Sequence, residues 1–159
     1  MADQTIFKRL KKDHETHRTM LDKIEKASGS ERMELFKKFR VEVTAHAAAE
    51  EETLYSTMLE DPELRHDGQH SVAEHHELDE LMEEIEGLEP DSDEFKQKFF
   101  KLRHDYLHHI DEEEDDMFPE AKEELSSAEA NKLGDKFKER KPAELKRAED
   151  GVDMGDDRE

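Results

Sequence analysis

The chain of 159 residues contains no cysteine and no tryptophan, and only 4 prolines and 6 glycines. Without thiols there can be no disulfide, thiolate zinc site, iron–sulfur cluster or cysteine nucleophile. Packing must hold the fold, helped by any metal that His and carboxylate can bind. Basic residues are also in the minority, 25 against 46 acidic, which gives a net charge of −21 with His neutral. Nucleic acid and anionic membrane surfaces repel such a chain, so neither is an expected partner. Long apolar runs are missing too. Nothing approaches the roughly 18 to 20 apolar residues of a membrane span, and the opening MADQTIFKRLKKDHE lacks the apolar stretch of a signal peptide. The expected location is the cytoplasm. Only 32% of residues are hydrophobic and the mean hydropathy is −1.17, which leans toward disorder unless those few residues are arranged to pack.

They are so arranged. The scarce Gly and Pro fall where a helix bundle needs turns. A first helix is expected from about Thr5 to Ala27, closed by Ser28-Gly29-Ser30, and a second from about Glu31 to Glu60, ending at Asp61-Pro62. A short piece over 63–66 precedes a break at Asp67-Gly68, and a third helix covers about Gln69 to Leu88. Asp91 with Glu94 reads as the capping pair of a fourth helix, about Ser92 to Glu124, which Pro119 should kink. Ser126 with Glu129 reads as another capping pair. The expected fold is all-α: a monomeric up-down-up-down four-helix bundle over 1–125, a short fifth helix over 126–141, and a frayed acidic tail over 142–159.

Four inward seams follow from residues recurring three and four apart. They read Phe7, Leu10, His14, His17, Leu21, Ile24; then Phe36, Phe39, Val43, His46, Glu50, Leu54, Met58. The third is Ser71, His75, Leu78, Met82, Ile85, and the fourth Phe95, Phe99, Leu102, Tyr106, His109, Glu113, Met117. Histidine occurs in every seam and glutamate in two. An unpaired buried charge costs several kcal/mol, so Glu50 and Glu113 need partners.

An internal echo locates those partners. His46-x3-Glu50-Glu51 and His109-x3-Glu113-Glu114 share the pattern H-x3-E-E-x2-hydrophobic-aromatic. On a helix, residues four apart lie one above the other, so each pair can offer an imidazole nitrogen and a carboxylate oxygen to neighbouring metal ions. His14, His46, His75 and His109 each lie 14 to 19 residues from the flanking turn markers Gly29, Asp61 and Pro90, so an antiparallel bundle brings them to one level. Imidazole and carboxylate without thiolate suit iron, with manganese or zinc as alternatives, and two inward carboxylates suggest two ions. His17 is on the first seam and reads as a hydrogen-bonding or packing residue more readily than as a ligand. His66, His70 and His104 read as surface residues. Tyr106 is placed to line a ligand pocket. The runs Glu50–Glu52 and Asp111–Asp116 hold one inward acid each on this phasing, and their other acids read as a solvated face.

Over about residues 5–125 the sequence resembles the hemerythrin-like proteins of the HHE cation-binding class, through Leu10-x2-Asp13-His14, His46-x3-Glu50-Glu51, Glu74-His75 and His109-x3-Glu113-Glu114-x4-Pro119. The resemblance implies a non-haem centre of two iron ions with an oxo or hydroxo bridge. It assigns His14, His46, His75 and His109 as ligands and Glu50 and Glu113 as bridging carboxylates. It implies binding of dioxygen or a related small ligand such as peroxide or nitric oxide. The alternatives are a detoxifying enzyme acting on those molecules, or iron sensing or storage. One departure stands out: oxygen carriers of the class have a further histidine where this chain has Ser71. Either the site has fewer histidines, or one of His17, His70 and His76 completes it.

Overall fold

A computed structural model describes residues 5–154. Its elements are α1 (Ile6–Lys26), α2 (Gly29–Glu50), a π-helical turn (Glu51–Tyr55), α3 (Ser56–Glu60), α4 (Arg65–Glu86), α5 (Asp93–Glu112), a second π-helical turn (Glu113–Met117), α6 (Phe118–Glu124) and α7 (Ser127–Met154). Each π turn joins its flanking helices into one rod, so the described residues form five rods and no strand. The first four make the up-down-up-down bundle: α1 packs on α2 and α5, and α4 on α2 and α5. The fifth, α7, lies across α2 and α1. No helix among the described residues is long and apolar enough to cross a membrane.

Local chemistry sets the rod ends. Thr5 caps α1 by accepting from the Lys8 N–H. Ser126 and Glu129 exchange hydrogen bonds, each backbone N–H donating to the other's side chain at 3.0 and 3.1 Å, the capping box that opens α7. At the first turn Gly29 has φ of 57°, a left-handed conformation that glycine adopts freely. Its N–H donates to Asp91 at 2.9 Å. Asp91 therefore ties two loops together, and the cap of α5 falls to Ser92, which accepts from Phe95 N–H at 3.1 Å; the expected Asp91–Glu94 pair is off by one residue. Arg32 closes the same end by donating to the carbonyls of Ile24, Glu25 and Pro90.

Two further expectations change. The break at Asp67-Gly68 is absent, and α4 runs through it from Arg65. Gly68 serves close approach: a Cβ there would sit 3.3 Å from Leu59 Cδ2 and 3.4 Å from Met58 Cβ. The fifth helix does not end at Lys141 but continues through Pro142 to Met154. Proline removes one backbone donor, yet Lys141 is clamped to Asp13 and Glu42, and Phe137 and Ala148 are buried on either side of it. These anchors outweigh the local break. The last five residues of the expected tail, 155–159, lie outside the described residues, as do 1–4.

The apolar interior is in two blocks. One gathers Phe7, Leu10, Leu54, Tyr55, Met58, Phe118, Leu133 and Phe137; the other gathers Leu21, Ile24, Phe36, Phe39, Leu78, Met82, Phe95, Phe99 and Leu102. Between Leu10 and Leu21 on α1 come His14 and His17, both fully buried. A polar belt thus separates two greasy halves at mid-height.

Candidate metal centre

The belt brings together all six residues expected as metal ligands. His14, His46, Glu50, His109 and Glu113 are buried, and the His75 side chain is 8% exposed. Glu50 Oε1 lies 3.7 Å from His46 Nε2 and 3.4 Å from His75 Nε2. Glu113 Oε1 lies 3.5 Å from His14 Nε2 and 3.3 Å from His109 Nε2. Each carboxylate therefore stands between one imidazole from the first two rods and one from the next two. Atoms of Glu50, His75 and His109 lie within 4.8 Å of one another, close enough to share a cation.

Every imidazole of the four is held by an acid at its other nitrogen. His46 Nδ1 meets Asp13 and His109 Nδ1 meets Glu74, each at 2.8 Å. His75 Nδ1 meets Glu51 at 2.8 Å, and His14 Nδ1 meets Glu114 at 2.6 Å. A carboxylate accepts, so Nδ1–H donates and the lone pair is left on Nε2, facing the centre. This arrangement fixes both tautomer and ring orientation in metal sites. Aromatic rings wedge the imidazoles from outside: Tyr55 stacks on His75 with centroids 5.2 Å apart, and Phe137 stands edge-on to His46 at 5.7 Å.

The centre carries strong internal fields. Burial pushes the Glu50 carboxyl well up, and the neighbouring Glu113 charge adds to it. Burial acts the same way on Glu113, but His109, Glu50 and His14 overturn it and hold that carboxyl well below its usual range. Burial lowers His46 to about 3 despite Asp13, and lowers His75. His109 is also desolvated, yet Glu113 and Glu74 raise it to about 9. The His75 and His109 Nε2 atoms are 3.1 Å apart, so a protonated His109 donates to His75.

The donor set fits a metal. His14 Nε2, His46 Nε2, both Glu50 oxygens and Glu113 Oε1 are buried without a hydrogen-bond partner. Buried polar atoms are normally satisfied, and five orphans within one belt signal a ligand.

The other residues singled out above take the following places. His17 keeps neither nitrogen free: Nε2–H donates to Glu42 at 2.6 Å and Nδ1 accepts from the Tyr106 hydroxyl at 2.5 Å. Tyr106 lines a cavity of about 300 Å³ between α2 and α4 that reaches His46, His75, His109 and Glu113. The tyrosine that hydrogen-bonds to one of the six is Tyr55, which donates to Glu113 Oε2 at 2.6 Å. Ser71 is buried, with its hydroxyl 3.7 Å from the Met117 sulfur, while His70 and His76 are exposed. No imidazole among the described residues fills the fifth place. Glu51 and Glu114, read as part of a solvated face, accept from the Nδ1–H of His75 and His14 instead. Their signal was adjacency: each directly follows an inward glutamate, just as Asp13 and Glu74 directly precede an inward histidine.

Both π turns begin where the echo predicts carboxylates, immediately after Glu50 and at Glu113. Ser56 N–H donates to Glu51 C=O and Phe118 N–H to Glu113 C=O, five residues back in each case. Such turns recur at functional sites.

Comparison with known proteins agrees with this architecture. The chain is 28% identical over 142 residues to a protein of Nostoc sp. (strain PCC 7120 / SAG 25.82 / UTEX 2576) named "DNA nickase"; the match covers 86% of the chain but spans only 39% of that relative's length. The fold superposes with a TM-score of 0.81 on the crystal structure of a hemerythrin HHE cation-binding domain-containing protein from Mycobacterium kansasii, at 22% identity, covering 98% of this chain and 94% of the other. The profile of the hemerythrin HHE cation-binding domain matches residues 5–121. With that match over most of its length, and with histidines and glutamates that could hold a metal at its centre, the chain belongs to the hemerythrin HHE cation-binding family.

Proposed function

We propose that Glu50 and Glu113 bridge two iron ions, with His14, His46, His75 and His109 as terminal ligands, and that the pair binds dioxygen or a related small oxidant such as peroxide or nitric oxide. Manganese and zinc are the competing metals for the same donors. The observation that carries this reading is the placement of each glutamate between imidazoles of opposite rod pairs, together with the orphaned inward atoms. Bound iron would supply redox equivalents and open coordination positions. The protein's own groups do the rest. Asp13, Glu51, Glu74 and Glu114 hold the imidazoles, Tyr55 supports Glu113, and the cavity between α2 and α4 admits a small neutral molecule past Val43, Leu78 and Met82.

Metal analysis of protein produced with adequate iron tests the first step: about two irons per chain are expected, and well under one removes the reading. The optical spectrum of the reduced protein before and after air then separates the roles. A band that appears and vanishes under vacuum marks reversible binding; irreversible oxidation marks sensing, storage or turnover.

Ser71 favours a second reading, removal of peroxide. With no fifth imidazole, iron keeps more positions open to peroxide and water. Oxygen release from added hydrogen peroxide, lost in His46→Ala, supports it; turnover no faster than free iron eliminates it. Nicking of DNA, the activity in the Nostoc relative's name, is a poor fit to a chain of net charge −21 that matches 39% of that relative.

A further inference from the structure

A second group of metal-capable side chains lies on the surface beside the centre. One atom each from His70, Glu74 and Glu112 lies within 4.8 Å of the others. His70 Nε2 is 3.4 Å from Glu74 Oε2 and 3.9 Å from Glu112 Oε2. Glu74 belongs to both places: its other oxygen, Oε1, accepts from His109 Nδ1 at 2.8 Å. Neither His70 nor Glu112 is used by the centre.

The group sits in a cavity of about 180 Å³ whose rim carries Asp67, Asp116 and Glu120 and whose floor reaches Ser71, His109 and Glu113. Glu113 is 1% exposed, and its Oε1 has no hydrogen-bond partner. The cavity therefore runs from a rim of exposed acids to Glu113 of the centre itself. On the rim, the neighbouring Asp67 carboxyl raises Glu120. The larger cavity between α2 and α4 has a different character, with Val43, Leu78 and Met82 in its wall.

We propose that His70, Glu74 and Glu112 form a transient site for a divalent first-row cation, a port that captures Fe(II) or Mn(II) and passes it through Glu74 to the buried centre. The reaction is ligand exchange, with no change of oxidation state: carboxylate and imidazole replace water, and protons on the inward groups leave as the cation arrives. One imidazole and two carboxylates bind such ions reversibly, and the acidic rim raises their local concentration. The proposal rests on the cation centre argued above, and its test separates the two.

The full-length metal-free chain is mixed anaerobically with Fe(II), and ion not yet sequestered is trapped with ferrozine at increasing times. The double variant His70→Ala/Glu112→Gln leaves the six inward residues and Glu74 untouched. It should take up Fe(II) at least about tenfold more slowly at low ionic strength, within the usual range for electrostatic capture, yet reach the same final number of ions and the same melting temperature. Titration with Mn(II), followed by loss of the free-ion EPR signal, should show one weakly held ion fewer in the variant. Uptake within twofold of the unaltered chain overturns the port. A final ion count that falls with the rate also overturns it, because the residues would then belong to the centre. If the unaltered chain retains no iron, the proposed centre fails instead, and the Mn(II) titration still decides whether the surface site exists.

Discussion

Replacement of Asp13 by Asn tests whether the acids behind the imidazoles tune the centre. Asp13 Oδ2 accepts from His46 Nδ1 at 2.8 Å and from Lys141 Nζ at 2.9 Å. Burial opposes ionisation of this carboxyl, but His46 and Lys141 overcome it and hold the group well below the ordinary carboxylate range. Asparagine preserves the shape and one acceptor but removes the charge. A charge-assisted bond is roughly twice as strong as a neutral one, and loss of the partner behind a ligating imidazole typically costs about 10- to 100-fold in metal affinity. Since Asn still accepts, the lower figure applies: about tenfold, or about 1.4 kcal/mol, for the ion held by His46. Competition with a chelator of known affinity measures it. Glu80→Gln is the control, because among the described residues Glu80 pairs only with exposed His76 and its loss changes net charge equally. If both variants bind within twofold of the unaltered chain, the acids do not tune the metal and the argument from hydrogen-bonded imidazoles is refuted.

The remaining predictions concern stability, pH and local order. His109 is raised to about 9, so its stabilisation of the metal-free chain is complete below 6.5 and is lost as pH rises through about 9, up to about 3 kcal/mol. His46, lowered to about 3, acts oppositely and costs stability as pH falls below 6.5. Melting temperatures of the metal-free chain should therefore fall on both sides of pH 6.5, with the alkaline fall reduced once metal replaces the proton; a flat profile from 6.5 to 9 contradicts the assignment. Tyr55→Phe removes the donor to buried Glu113 and should cost about 1.5 to 3 kcal/mol by denaturant unfolding of the metal-free chain, with a shifted absorption spectrum after iron loading. Lys141→Met should raise hydrogen exchange in α7 beyond Pro142 while exchange in α4 and α5 stays unchanged; uniform protection along α7 would show that Lys141 is not its anchor.

The four seams were legible because burial enforces the helical period. Phe36, Phe39, Val43, His46 and Glu50 are all buried on α2 as their spacing requires. The convergence of the six inward residues followed from that phase and from the echo. Adjacent capping residues blurred one boundary, since Asp91 and Ser92 are both good caps and only the contact with Gly29 decides between them. Gly68 looked like a break because sequence does not reveal whether a glycine serves a turn or a close approach. The extent of α7 was hidden because Pro142 speaks locally, whereas Asp13 and Glu42 are remote in sequence. The second acid of each echo was hidden among 46 acids, most of which face water. The π turns show in the seams only as successive spacings of four, Glu50, Leu54 and Met58 on one rod and His109, Glu113 and Met117 on another, each step drifting about 40° from the face of an ordinary helix.

Those two turns make the molecule intolerant of one particular change. Each accommodates a surplus residue, and winding the same residues as ordinary α-helix would swing everything beyond by about 100°. In the second rod that would carry Tyr55 and Met58 away from the apolar block they now fill; in the fourth it would carry Phe118 away from His14. Substitutions along these stretches can be absorbed singly, but at this length the wider winding cannot be lost.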